Sequence, residues 1–378
     1  MPQIEIGNAQ QLLSELEGWV RLETPTTDPA RVNVLMDVAQ AELAGAGAAV
    51  TRVPGRDGYG DNLIARVNQR PGVKPILVAG HLDTVWSAGT LETMPFHVDG
   101  DRAHGPGILD MKAGSFAALY AVRGIARQHV ATKRPITLLL TPDEEVGSPT
   151  SRAIIEREGA EAAFALIPEP AGPGGVCVTA RKGVGRFTLR VDGVSAHAGA
   201  AFDDGASAVV ELARQILRLH DLVDKPRGIT LNVAPIRGGS RPNVIAPEAE
   251  AEIDLRVMTH ADGERLESLI LGLKPIDPRC RLTLTGGMNR PPYAESAGGL
   301  ALYERLRALG VGLGLDIGKQ HRGGGSDGNF TAALGVPTLD GLGCPGAGAH
   351  APHEHILWRE LEPRVALMAT LLEELDEV

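Results

Sequence analysis

Residues 76–85 of the chain, ILVAGHLDTV, join a short apolar run to a histidine and an aspartate that stand two residues apart. The run from Ile76 to Ala79 has the length and composition of a buried strand. In extended backbone, residues two apart point to the same side, which places Asp83 where it can orient the ring of His81. A metal-binding histidine commonly donates its second ring N–H to such a carboxylate. Taken alone, the pair is more typical of a loop histidine beside a capping aspartate.

Apolar runs alternate with helical patterns along the first half of the chain. The further runs are at 63–67, 136–140 and 164–167, and the helical patterns are at 8–45, 113–128 and 151–158. Glu144 and Glu145 follow one run, and Glu169 follows another. The alternation predicts an α/β domain with a mainly parallel sheet, whose ligand site lies beyond the carboxyl ends of the strands.

The middle of the chain has a different pattern. Predicted strands at 186–191, 229–236, 249–257 and 281–285 accompany helical spacing at 206–219 and 263–272. These elements predict a compact α+β domain inserted into the first, since 378 residues exceed what one core usually spans. The predicted division is a catalytic domain in two parts, 1–181 and 292–378, interrupted by a smaller domain at 182–291.

Charge and cysteine content narrow the classes of function. The formal net charge is -10 without basic clusters, which argues against nucleic acid or an anionic membrane as partner and favours a small polar substrate. The three cysteines show no Cys-x-x-Cys spacing, so neither a disulfide framework nor a zinc knuckle is predicted. No export signal and no membrane span is recognised, and we expect a cytoplasmic protein.

Residue types that bind metal ions end several short motifs. They are His81, Asp83, Asp110, Glu144, Glu145, Glu169 and His350. One cation needs three or four protein ligands, so two histidines with several carboxylates predict two cations that share a bridge, an arrangement typical of hydrolases. Glu144 and Glu145 are adjacent, so one can bind metal while the other acts on water. Separately, each motif has an ordinary alternative, such as the helix start at Asp110.

Taken in order, the motifs resemble the two-zinc aminoacylase and carboxypeptidase family, which includes acetylornithine deacetylase, succinyl-diaminopimelate desuccinylase and bacterial glutamate carboxypeptidase. The motifs are GHLDTV at 80–85, GPGILDMKAG at 105–114, DEEVGS at 143–148, PEP at 168–170 and GAH at 348–350. The resemblance spans most of the chain and is strongest to the folate-cleaving glutamate carboxypeptidases. It implies that the inserted domain is a lid through which two chains pair.

The resemblance also implies roles for the metal-type residues. Asp110 would bridge two Zn²⁺ ions, with Co²⁺ or Mn²⁺ as alternative metals. His81 and Glu169 would complete one site, and Glu145 and His350 the other. Glu144 would be the general base and Asp83 would orient His81. A glutamate four residues after the last histidine favours His350, which precedes Glu354, over His353 and His355. Family members often have a second aspartate where this chain has Met111.

Lid and loop motifs add candidates for substrate binding. GVSAHAG at 193–199 resembles the lid motif whose histidine, His197, stabilises the oxyanion in the partner chain, although a surface-loop role is the plain alternative. Asn243, Arg256 and Arg290 match lid positions around the substrate. The planar fork of Arg290 suits a free α-carboxylate, whereas Arg256 is equally typical of a strand surface. GGGSD at 323–327, which includes the candidate Gly324, resembles a substrate-floor loop whose backbone N–H groups face an anion.

These features predict a two-zinc hydrolase that cleaves the amide bond of a C-terminal amino acid, with glutamate as the expected residue, in small peptides or N-acyl amino acids. The alternative within the same chemistry is an N-acyl-amino-acid deacylase of the acetylornithine or desuccinylase kind. An alternative of another class is a non-catalytic dimer that binds amino acids or peptides. The presence of Glu144 together with all five ligands weighs against that class.

Overall fold

A computed structural model describes residues 2–377. Over these residues the α-helices are α1 Ala9–Val20, α2 Pro29–Gly45, α3 Ala113–Arg127, α4 Arg152–Glu161, α5 Ala208–His220, α6 His260–Leu271, α7 Ala297–Val311, α8 Gly328–Ala333 and α9 Leu361–Glu374. The strands are β1 Ala49–Val53, β2 Asn62–Val67, β3 Ile76–His81, β4 His97–Asp99, β5 Arg102–His104, β6 Ile136–Thr141, β7 Phe164–Leu166, β8 Cys177–Arg181, β9 Gly183–Asp192, β10 Thr230–Gly238, β11 Glu248–Val257, β12 Arg281–Arg290, β13 Lys319–Arg322, β14 Thr338–Leu339, β15 Gly346–Ala347 and β16 His355–Leu357.

The chain divides into two compact units. The larger comprises Met1–Ala180, Glu295–Arg322 and Ser326–Val378, and the smaller comprises Arg181–Ala294 with Gly323–Gly325. The glycines at 323–325 therefore cluster with the smaller unit, whereas the sequence assigned them to the second part of the catalytic domain. The physical reason is that these glycines contact Arg181 and Arg290 of the smaller unit.

The larger unit is built on a six-stranded sheet in the order β1-β2-β6-β3-β7-β14. Strand β3 runs parallel to both β6 and β7, and β7 runs parallel to β14, so the predicted mainly parallel sheet is confirmed. Every residue of β3 and β6 is buried, as expected for central strands covered on both faces. Val78 contributes to the core formed with α1, α2, α3 and α9. Leu77 and Ala79 face the opposite core with α4 and α8.

A second sheet of the larger unit supports two loops. Its order is β15-β16-β5-β4, and its neighbouring strands are antiparallel. Strand β5 leads directly into the segment 105–110, and the loop 348–354 joins β15 to β16. This sheet therefore fixes the starting points of the loops that carry Asp110 and His350.

The smaller unit is an antiparallel sheet in the order β10-β11-β9-β12. Residues of β9 alternate: Phe187, Leu189 and Val191 are buried in a core shared with α5 and α6, while Arg186 and Arg190 are exposed on the other face. Strand β12 extends beyond the predicted 281–285 and ends at Arg290. Among residues 2–377, no helix combines the length and apolarity needed to cross a membrane.

Candidate metal centre

Parallel strands bring three loops of the larger unit to one edge of the sheet. Strand β3 ends with His81, whose side chain is only 1% exposed. The neighbouring β6 leads into a 3-10 turn at Glu144–Val146, and β7 leads to Glu169. Because all three strands are parallel, their carboxyl ends lie at the same edge and their following loops converge.

Two glycines allow the remaining segments to approach this edge. Gly107 has a φ of 70°, and a Cβ there would lie 2.3 Å from Cγ2 of Thr84. At Gly114, near the start of α3, a Cβ would lie 1.7 Å from the carbonyl oxygen of Pro168. The chain therefore turns sharply before Asp110, and α3 packs directly against the backbone that presents Glu169.

Two groups of potential metal ligands meet at Asp110. Among residues 2–377, the groups whose ligand atoms lie within 4.8 Å of one another are His81 with Asp110 and Glu169, and Asp110 with Glu145 and His350. Oδ1 of Asp110 lies 3.4 Å from Nε2 of His81, and Oδ2 lies 3.3 Å from Nε2 of His350. The two oxygens of one carboxylate thus face the two histidines, which is the arrangement of a bridging ligand.

The geometry fits divalent cations. Ligand atoms held about 2.0–2.1 Å from one tetrahedral ion lie about 3.3–3.4 Å from each other. Besides the two contacts of Asp110, Nε2 of His350 lies 3.1 Å from Oε2 of Glu145, and Nε2 of His81 lies 3.8 Å from Oε1 of Glu169. Nε2 of His81 and Oε1 of Glu145 are buried without a hydrogen-bond partner. Buried polar atoms need a partner, and a metal ion would supply it.

The electrostatics also favour positive charge here. Hydrogen bonds with Asp110 and Glu145 raise the pKa of His350 to about 10. Burial opposes protonation of His81, yet its contacts with Asp110 and Asp83 raise its pKa well above the ordinary value. Burial also raises the pKa of Glu145. The cluster therefore stabilises added positive charge, which divalent ions can provide in place of protons.

Asp83 connects the loop that follows β3 to the loop that follows β6. Its fully buried carboxylate has Oδ1 3.3 Å from Nδ1 of His81, as the two-residue spacing predicted, although the carbonyl oxygen of Asp83 lies closer, at 3.0 Å. The same carboxylate accepts the backbone N–H groups of Glu144 at 3.1 Å and Glu145 at 3.2 Å. It also accepts the hydroxyl of Thr26 at 2.7 Å. Asp83 thus orients both the histidine ring and the turn that carries two further site residues.

The adjacent glutamates occupy different positions. Oε2 of Glu145 contacts His350, whereas Oε2 of Glu144 lies 3.9 Å from Nε2 of His81. Glu144 belongs to neither group of ligand atoms, although it lies beside them. Its carboxylate is therefore placed to act on a molecule bound at the centre.

The three histidines near the end of the chain also separate. His350 has a φ of 61° and joins a ligand group, whereas His353 is exposed and belongs to neither group. The ring of His355 packs against the ring of His104 with centroids 5.0 Å apart, and donates from Nδ1 to the carbonyl of His353. The structure thus brings His350, and neither alternative, to Asp110.

Sequence reasoning did not identify two supporting residues. Thr26 lies 57 positions from the carboxylate it contacts, and only its place in a Pro-containing turn marked it. Met111, where family members often have aspartate, is buried, and its sulfur lies 3.4 Å from the backbone nitrogen of His81, which donates to it. A thioether therefore supports the histidine backbone at this position.

The smaller unit holds the remaining candidates. His197 is exposed, and its Nδ1 accepts the backbone N–H groups of Gly199 at 3.2 Å and Ala200 at 3.0 Å. The neutral ring therefore carries its proton on Nε2, which is the nitrogen that can donate. Asn243 is also exposed, and its backbone carbonyl accepts the backbone N–H of Ala198 at 3.1 Å. This bond ties the loop of Asn243 to the loop of His197.

Arg256 and Arg290 both stand opposite Val184 in the sheet, but they differ in their contacts. Arg256 donates to both carboxylate oxygens of Asp254, at 2.7 and 2.9 Å, so the strand-surface alternative describes its contacts. Arg290 is 3% exposed and packs against the glycine loop, residues 323–325. A Cβ on Gly325 would lie 2.8 Å from its Cδ, so the absence of a side chain there permits the contact.

The glycine loop presents carbonyl groups to a second arginine. Nη1 of the buried Arg181 donates to the carbonyl of Gly324 at 3.3 Å and to that of Gly325 at 3.5 Å. The sequence led us to expect N–H groups that face an anion. A buried guanidinium needs acceptors, which explains why these two carbonyls turn toward it.

Comparisons with known proteins show the family to which the chain is similar. A model described as Peptidase family M20/M25/M40 matches residues 77–374. Carboxypeptidase G2 of Pseudomonas sp. (strain RS-16) is 31% identical over 368 residues, which cover 96% of this chain and 88% of that protein. Succinyl-diaminopimelate desuccinylase of Xanthomonas oryzae pv. oryzae (strain PXO99A) is 29% identical over 373 residues, 92% of this chain and 96% of that one. The crystal structure of aminopeptidase PepT from Bacillus cereus ATCC 10987 matches the fold with a TM-score of 0.76 at 21% identity, over 97% of this chain and 98% of that chain.

Proposed function

The chain belongs to peptidase family M20/M25/M40, and from this membership we propose a two-zinc carboxypeptidase that releases a C-terminal amino acid, with glutamate preferred, from small peptides or N-acyl amino acids. The family consists of metal-dependent hydrolases, so the chain is such an enzyme. The two-metal centre of this proposal is supported by one observation: the two oxygens of Asp110 face two histidine-containing groups, with Glu144 beside them. Histidine nitrogen and carboxylate oxygen together suit zinc, and Co²⁺ or Mn²⁺ are the alternatives.

The residues of the chain divide the work of amide hydrolysis. His81, Asp110 and Glu169 would hold one ion, and Asp110, Glu145 and His350 the other. When bound, such ions polarise a substrate carbonyl and lower the pKa of a water molecule. Glu144 accepts the proton of the attacking water and passes it to the leaving amine nitrogen. The partner subunit's His197 donates its Nε2–H to the carbonyl oxygen as negative charge develops there.

Pairing of two chains is part of this proposal. Strand β10 is an edge strand, and its Ile236 is 54% exposed. On the packed helix α5, Val210 is 49% and Leu217 is 68% exposed. An unpaired strand edge beside exposed apolar side chains suits an isologous contact with a second copy of the chain.

The three buried free thiols further support a reducing cytoplasm as the location.

The substrate class is tested by release of free amine from a panel of dipeptides and N-acyl amino acids offered to the zinc-loaded protein. We expect turnover of substrates with a free α-carboxylate and a preference for glutamate as the released residue, because the resemblance is strongest to glutamate carboxypeptidases. Comparable turnover of alanine, leucine and glutamate derivatives would remove the glutamate preference. Turnover confined to acetyl or succinyl substrates would establish the deacylase alternative, and metal binding without any turnover would favour the binding module.

Arg290 is the proposed anchor of the substrate carboxylate. The Arg290→Ala variant should raise KM for carboxylate substrates, since loss of a buried charged partner costs about 2–5 kcal/mol, a factor of roughly 30 or more. Amidated analogues should lose far less, because they lack the negative charge. Arg256→Ala is the matched control, since Arg256 stands in the same row of the sheet but binds Asp254. An equal rise in KM for carboxylate and amide substrates would refute the assignment.

A further inference from the structure

Glu354 has no role among the ligands, yet its carboxylate is saturated with hydrogen bonds. The residue is fully buried. Oε2 accepts Nε1–H of Trp86 at 2.7 Å and the backbone N–H of Gly107 at 3.0 Å. Oε1 accepts the backbone N–H groups of Leu109 at 2.8 Å and Asp110 at 3.1 Å. Four donors match the roughly four acceptor positions of an ionised carboxylate, so none is left for another partner.

The donors come from the loops that build the metal centre. Leu109 and Asp110 donate from the backbone on which the bridging carboxylate is carried. Trp86 stands three residues after Asp83 in the loop that follows β3. Glu354 itself stands four residues after His350, within the loop that joins β15 to β16. One side chain therefore links the loops of Asp83, Asp110 and His350.

The packing around Glu354 leaves little freedom for these loops. A Cβ on Gly348 would lie 2.9 Å from the backbone nitrogen of Glu354, so the loop of His350 folds tightly onto itself. Lys112 is 1% exposed, donates to the carbonyl of Leu22 at 2.6 Å and interacts electrostatically with Glu354.

We infer that Glu354 is a positioning residue that holds Asp110 and His350 in the geometry of the metal centre. The inference rests on the proposed function, because it concerns the ligands of that centre. Without Glu354, the backbone N–H groups of Leu109 and Asp110 would lose their common acceptor. The spacing of 3.3 Å between Asp110 and His350 would then no longer be fixed before metal binds.

Glu354→Gln tests this assignment with almost no change of volume. Whichever way the amide is turned, its NH₂ group faces two N–H donors, so one pair of hydrogen bonds is lost. We expect the zinc affinity, measured by competition with a chromophoric chelator, to fall about 10–100-fold, the usual effect of removing a residue that orients metal ligands. Thermal unfolding of the metal-free variant shows in parallel whether the protein is folded.

Glu211→Gln is the matched control. Glu211 is also a buried carboxylate that accepts two backbone N–H groups, from Ile276 at 2.8 Å and Asp277 at 3.0 Å, but it lies in the smaller unit. Its variant should lose thermal stability and keep the zinc affinity of the wild type. A zinc affinity of Glu354→Gln equal to that of this control would overturn the inference. Absence of zinc binding by the wild type would instead overturn the proposed function, and the inference with it.

A second pair of variants decides the question if Glu354→Gln does not fold. Trp86→Phe removes one donor to Glu354, and Trp358→Phe removes an indole bond to the carbonyl of Gly100, at 3.1 Å, in the same unit. We expect weaker zinc binding from the first and unchanged binding from the second. Equal zinc affinities for both tryptophan variants would contradict the positioning role.

Discussion

The Glu144→Ala variant should lose turnover while it still binds both metal ions. Oε2 of Glu144 lies 3.9 Å from Nε2 of His81 and outside both ligand groups, so its removal leaves the groups intact. The backbone N–H of Glu144 donates to the carboxylate of Asp83, and the alanine variant keeps this hydrogen bond of the turn. A general acid and base contributes typically about 10²–10⁴-fold, and we expect kcat to fall by that order.

Glu145→Ala provides the matched comparison, because the two residues are neighbours on one turn and differ in their contacts. Oε2 of Glu145 lies 3.1 Å from Nε2 of His350, so its loss should release metal from the group that contains His350. Metal content is measured by elemental analysis after dialysis, and kcat with the best substrate of the panel. If Glu144→Ala loses metal while Glu145→Ala keeps it, the two assignments must be exchanged.

The short-range geometry of the site was predictable from the sequence. The spacing of His81 and Asp83 is a property of extended backbone, and the side chains do contact each other. The convergence of Glu144, Glu145 and Glu169 follows from parallel strands, whose ends share one edge of the sheet. The contact between Arg256 and Asp254 obeys the same two-residue period, which would have been sufficient to predict it.

Contacts between distant segments were not predictable in this way. Thr26 and Asp83 are 57 positions apart, and Glu354 and Asp110 are 244 positions apart. Neither a strand period nor a helix period relates such residues, so only the folded chain reveals which buried polar groups complete each other. The same limit explains the glycine loop at 323–325, whose carbonyls turn toward Arg181, a residue that carries no motif of its own.

His197 is expected to act in the metal centre of the partner subunit. Its Nδ1 already accepts two backbone N–H groups, so Nε2 is the donor, and the exposed ring can reach another molecule. The resemblance implies this arrangement for chains with one lid. Loss of an oxyanion donor costs about 10²–10³-fold in kcat, so the His197→Ala homodimer should be nearly inactive.

Mixing two inactive variants separates action within one chain from action across the dimer. In a heterodimer of His197→Ala and Glu144→Ala chains, one site combines intact Glu144 from the first chain with intact His197 from the second. Random pairing makes half of the dimers mixed, with one of two sites complete, so activity should return to about a quarter of wild type in a two-fold dimer. Differential tags on the two chains establish how many mixed dimers form. If mixed dimers form and remain as inactive as their parents, His197 acts within its own chain or has no part in catalysis, because the only complete pairing of the two groups would then be unproductive.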